Sequence, residues 1–237
     1  MSPAFDDTRR WMAQGTELFT TSLSRVSDEQ LAGPTDLDGW TGKHLLAHVC
    51  ANAEALQHLV HWARTGEETP MYSSPTQRNE DIETGSHKDA AELREWYHRS
   101  VAALDADVAG LTDEQWQHTV VTAQGRTVPA TELPWMRSRE VMVHAVDLGG
   151  VGFADLPADF CAALVADIAA KRSRTPEHPA VSASATDADV AVEIPGTGDP
   201  IVVAAPLSEL TTWLAGRPGG PSRTTDGNDL PGLPAWL

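Results

Sequence analysis

The sequence predicts a mainly α protein, with a four-helix bundle over residues 1–152 and a small α+β domain over 153–237. Three observations carry that prediction. Apolar residues recur at spacings of three, four and seven in four long stretches of the first part, which is the period of an amphipathic helix. One long polar crossover separates the second stretch from the third, a connection that helical bundles use. In the second part the pattern changes to short alternating or β-branched runs between Asp- and Gly-rich turns, as strands and hairpins require.

Phe5, Met12, Phe19, Leu23 and Val26 put one apolar face on a helix over 4–26. Beyond the turn-like GPTDLDGWT, Thr41 caps a second helix over 42–64. Its stripe is Leu45, Val49, Leu56, Leu59 and Ala63, and it stops before Gly66. The next segment, EETPMYSSPTQRNEDIETGS, is polar, holds two prolines and reads as a long ordered loop, where binding residues tend to gather. Ser86 then caps a third helix carrying Leu93, Tyr97, Val101, Leu104 and Val108. β-branched residues on both sides of Gln124-Gly125 predict a short hairpin, and a fourth helix follows over 131–148, ending at Gly149-Gly150. In the second domain, 157–173 and 207–214 read as helices, with AVSASA, VAVEI and IVVAA as strands and a Gly/Pro-rich tail after them.

Lys and Arg number 17 against 34 Asp and Glu, a formal charge of −17. Such a surface repels phosphate backbones and anionic membranes, so neither nucleic acid nor membrane is an expected partner. An anionic small molecule needs a few well-placed arginines. No run of eighteen apolar residues and no leader-like segment is found, so the expected location is the cytoplasm; the expected state is a monomer. Cys50 and Cys161 are too few for a disulfide framework and read as free thiols.

The chemistry-bearing stretch is RSREVMVHAVDLGG, residues 137–150. Residues four apart on a helix share a face, so Glu140 and His144 reach one point. His44 and His48 have the same spacing on the second helix. His48 lies nearer the centre of the apolar stripe and is chosen as the third ligand; His44, near the helix start, is assigned an orienting or substrate-contact role. Two imidazoles and a carboxylate are the ligand set of a zinc site with an open fourth position, although iron, nickel and manganese accept the same residues. Asp147 reads either as an orienter of His144 or as a surface residue at the helix end. No internal nucleophile stands out: neither cysteine has an activating context, and Ser73-Ser74 and the Ser182/Ser184 pair lack an elbow.

Taken together, GWTGKHLLAHVCANAEAL, HWARTGEETPMY, TAQGRTVPATELPWMRSREVMVHAVDLG and LAGRPGG resemble the mycothiol-dependent maleylpyruvate isomerases of the DinB-like metalloenzyme superfamily. The resemblance covers nearly the whole chain and is densest over 39–149. It implies a metal triad of His48, Glu140 and His144, a DinB-like bundle, and zinc and mycothiol as cofactors. It also implies an important arginine at Arg217, whose neighbour Pro218 departs from the pattern. The implied reaction is reversible addition of the mycothiol thiolate to maleylpyruvate, rotation about the resulting single bond, and elimination to fumarylpyruvate. Arg217 and Arg78 are the expected holders of the substrate carboxylates, with Arg126 and Arg137 behind them; Arg217 and His44 are the expected contacts to the thiol. A mycothiol S-transferase of the same superfamily is the alternative, and a metal-binding regulator without turnover is a third reading.

Overall fold

In a computed structural model, which describes residues 3–174, 178–234 and 236, the chain divides into two compact units, Met1–Gly150 and Val151–Leu237. The first runs α1 (Phe5–Arg25), α2 (Asp28–Ala32), α3 (Gly42–Thr65), α4 (Gln77–Ser86), α5 (Ala90–Ala109) and α6 (Asp113–Trp116). It continues through the hairpin β1 (Thr119–Val121) and β2 (Thr127–Pro129) to α7 (Leu133–Leu148).

The four long helices follow the apolar stripes. α3 starts at Thr41, whose hydroxyl accepts from the His44 amide while His44 Nδ1 accepts from the Thr41 amide at 3.2 Å. It ends at Gly66, where φ of +78° suits only glycine. α1 lies along α7, and α3 packs on α5 and α7. The α1–α7 approach is close: a Cβ on Gly15 would stand 2.6 Å from Val141 Cγ2 and 2.9 Å from Met142 Cγ. Val120 and Val128 pair across the hairpin and are both buried, joining Leu56, Leu59, Leu104 and Trp116 in the bundle core.

The segment after α3 differs from expectation. Residues 77–86 form α4, not loop, although only Ile82 and Gly85 of it are buried. Its helicity comes from docking on α3: Gly85 sits so close to Ala47 and Trp96 that a Cβ would fall within 2.8 Å of both. Ser86 is therefore the last residue of α4, and the third long helix is capped by Asp89, which accepts from Glu92 N at 2.8 Å. The short helices α2 and α6 were not expected; each opens with a capping box, Ser27 with Gln30 and Thr112 with Gln115.

The second unit comprises α8 (Ala158–Arg172), β3 (Pro179–Ala185), β4 (Ala191–Ile194), β5 (Thr197–Ala205) and α9 (Leu207–Leu214). Its sheet has the order β4-β3-β5, with β3 antiparallel to β4 and parallel to β5. Val181, Ala183, Ile194 and Val203 are buried in it, as are Phe160, Leu164 and Ile168 of α8 and Leu210 and Leu214 of α9. Arg172, also buried, donates to the carbonyls of Leu214 and Pro234 and so pins the tail. Among the described residues no helix is long and apolar enough to cross a membrane.

Replacing Gly15 by valine forces methyl groups into the α1–α7 contact. A loss of about 1–3 kcal/mol in unfolding free energy is expected, the usual cost of overpacking, measured by urea denaturation against the wild type.

Candidate metal centre

α3 and α7 cross so that His48 on one meets Glu140 and His144 on the other. His48 Nε2 lies 2.8 Å from Glu140 Oε2, and His144 Nε2 lies 3.3 Å from the same oxygen. One ligand atom from each residue falls within 4.8 Å of the others. The imidazole rings stand edge to face, with centroids 5.0 Å apart and planes at 88°. Both histidines are buried, while Glu140 keeps 15% of its side chain exposed and gives the cluster an opening. Two aimed nitrogens and a carboxylate oxygen at one point fit a divalent cation of the zinc type.

Both histidines have neighbours behind their rings. His144 Nδ1 lies 2.8 Å from Asp147 Oδ2, and the Asp147 side chain is 1% exposed. The carboxylate accepts the Nδ1 proton and leaves Nε2 facing Glu140. Of the two readings of Asp147, the buried orienter is the one observed. His48 is flanked by Trp40, edge-on with centroids 5.4 Å apart, and by Arg78, whose Nη2 is 3.4 Å from His48 Nδ1.

The electrostatics follow from this packing. Burial works against the Glu140 charge, yet His48 and His144 outweigh it and hold the carboxyl well below the usual carboxylate range. Burial also disfavours the charged form of both histidines. For His48 burial wins over the neighbouring Glu140 and the pKa falls. For His144 the hydrogen bonds to Asp147 and Glu140 win, and the pKa rises.

The other expected site residues separate. Arg78, on α4, adjoins the cluster through His48. His44 is outside the cluster: its Nδ1 caps α3 and its Nε2 is 3.6 Å from Glu83. Arg217 belongs to the second unit, where it is buried and donates from Nη1 to the Ala215 carbonyl at 2.8 Å. Arg126 is exposed beside the hairpin turn. Arg137 is turned into the bundle: it is 1% exposed and donates from Nη1 to Val49 O at 2.9 Å and Asn52 Oδ1 at 2.8 Å on α3, while its buried Nη2 has no hydrogen-bond partner among the described residues.

Two neighbours escaped the sequence reading. Trp40 sits in a turn whose composition signals only the turn. Tyr72 lies in the segment read as loop, close enough to Arg78 for the guanidinium to act on its phenol, whose pKa is raised by burial.

With this geometry, the comparisons with known proteins have a direct meaning. The family model described as "Mycothiol maleylpyruvate isomerase N-terminal domain" matches residues 12–149, the span holding all three cluster residues. The chain belongs to the mycothiol-dependent maleylpyruvate isomerase family. Two solved structures of a mycothiol-dependent maleylpyruvate isomerase, one a histidine-to-alanine variant, are each 38% identical to it. Each match covers 99% of this chain and 98% of the other, with a TM-score of 0.91. No curated relative matches.

In this maleylpyruvate isomerase family member, neither cysteine is poised as a nucleophile. Both are buried; burial raises the Cys50 thiol far above its ordinary range and pushes Cys161 up to about 11. At pH 8 the Cys161 thiol is overwhelmingly protonated. A disulfide reagent such as DTNB at pH 8 is therefore expected to label neither thiol in the native protein and both after unfolding in guanidinium.

The Asp147 contact gives a second test. Asp147→Asn removes the acceptor charge behind His144, and metal affinity is expected to fall about 10- to 100-fold, measured by competition with a chromophoric chelator.

Proposed function

We propose that the chain is a zinc- and mycothiol-dependent cis-trans isomerase that converts maleylpyruvate to fumarylpyruvate. The observation that carries this reading is the buried His48–Glu140–His144 cluster with Arg78 beside it, in a chain matching isomerase structures over 99% of its length. Zinc bound there supplies a Lewis acid that keeps a borrowed thiol ionised near neutral pH.

The chain's own residues would do the rest. His48, Glu140 and His144 hold the ion, and Asp147 fixes the His144 ring. Trp40 covers one edge of His48 and limits water there. Arg78 offers a planar fork to a substrate carboxylate, and its place beside His48 puts that fork next to the reacting centre. By the family resemblance, Arg217 of the second unit remains the candidate for the second carboxylate and the thiol. His44 is left to the start of α3, because both of its ring nitrogens already face partners. The surface is strongly acidic, so these arginines must do locally what the overall field opposes.

The test is loss of maleylpyruvate with purified protein, with and without mycothiol, after chelation and after zinc restoration. Turnover to fumarylpyruvate that needs both thiol and metal is expected. A product that retains the thiol would instead mark an S-transferase, and bound metal without turnover a regulator. In the same assay Arg78→Ala is expected to raise the maleylpyruvate KM on the order of 10- to 100-fold, the loss of a charge-assisted contact, with zinc content unchanged.

A further inference from the structure

A groove runs along α3 beside the face that carries His48. Ala51 and Ala55 follow His48 by three and seven residues. On a regular helix they lie about 60° and 20° from it in rotation and about 4.5 and 10.5 Å along the axis. These small side chains help line a cavity of about 650 Å³ bordered by α3, α4 and the start of α5, a size that suits a small-molecule ligand. Tyr72 lines the same cavity and lies near Arg78, whose Nη2 is 3.4 Å from His48 Nδ1. The cavity therefore begins one helical turn from a cluster ligand and is linked to the cluster through a single side chain.

Its chemistry differs from that of the cluster's arginine side. Glu54, Glu80 and Asp81 line it against one cation, Lys88. Burial and the adjacent Glu80 raise the Asp81 carboxyl above its ordinary value, another sign that negative charge is already crowded here. A dicarboxylate is repelled from such a surface. Aromatic rings stand beside the acceptors: Trp96 is fixed by donating from Nε1 to Glu54 Oε1 at 2.6 Å, and Tyr72 offers a second ring. Rings that pack against C–H faces, with carboxylates and the Gln57 amide to meet hydroxyl groups, suit a neutral polyhydroxylated molecule.

We propose that this groove binds the neutral, glycoside-like body of the thiol cofactor, with the sulfur end directed along α3 toward His48. The inference rests on the thiol-dependent reading above and adds a division of labour. The acidic groove takes the uncharged cofactor body, and the arginine side takes the anionic substrate. Mycothiol has this form, an N-acetylcysteine joined through an amide to an amino-sugar–inositol glycoside.

The experiment compares mycothiol with N-acetylcysteine amide, the same thiol without the glycoside, by calorimetric titration of the zinc-loaded protein. The wild type and two groove variants, Asp81→Leu and Glu54→Ala, are used, with melting temperature and zinc stoichiometry confirming that each variant is folded and loaded. The wild type is expected to bind mycothiol at least tenfold more tightly than the amide. Each variant is expected to weaken mycothiol at least fivefold and leave the amide unchanged. Equal affinity of the wild type for the two thiols, or variants that leave mycothiol binding unchanged or weaken both thiols alike, would overturn the groove while the isomerase reading stands. A wild type that binds neither thiol would overturn the thiol-dependent reading and this inference with it.

Discussion

The arrangement depends on one interaction: a carboxylate, Glu140, largely enclosed between two imidazoles where α3 crosses α7. An isolated charge in that position would be strongly unfavourable. His48 and His144 offset the cost from two directions, at 2.8 and 3.3 Å. His48 lies 92 residues away in sequence, so the contact exists only if the two helices are held in register. Arg137, one turn before Glu140, supplies a second polar tie between the same helices through Val49 O and Asn52. Gly15 lets α1 close onto the other side of α7. The cluster is thus carried by rigid helices and not by loops, which favours precise placement of ligand atoms.

Much of this was legible in the sequence, for a physical reason. The helical period that buries Leu45, Val49 and Leu56 also fixes which way His48 points, and the i, i+4 spacing brings Glu140 and His144 to one face. His44 and His48 of α3 were harder to separate, because they share a face. What separates them is the capping of the first turn, which engages the His44 ring at Thr41. α4 was read as loop because its own residues bury almost nothing; its helicity is a tertiary effect of docking on α3. Arg137 stood behind Arg217 and Arg78 as a holder of a substrate carboxylate, and only the packing reveals that its guanidinium ends on a main-chain carbonyl inside the bundle. Trp40 and Tyr72 were invisible for a related reason: both lie in connecting segments, where periodicity carries no information.

The buried thiols bear on the same logic. Cys50 follows His48 by two residues, roughly 200° around the helix, and it is buried with its pKa raised. A thiol that close to the cluster but turned into the core is inert packing. The centre therefore has an opening at Glu140, a cation at Arg78 and, among the described residues, no poised sulfur nucleophile of its own; the thiol of the proposed function is accordingly a borrowed one.

The two histidines are not equivalent, and the difference has a direction. Behind His144 stands a carboxylate, Asp147; behind His48 stands a guanidinium, Arg78. The first enriches its imidazole as an electron donor and holds its pKa up, while the second adds to the burial that lowers the pKa of the other. Positive charge is accordingly concentrated on the His48 side of the cluster and negative charge on the Asp147 side. Under the proposed function, an anionic substrate approaching the opening would meet this gradient as a preferred orientation, carboxylate toward Arg78. An acidic protein can in this way present a locally cationic entrance without changing the sign of its surface as a whole.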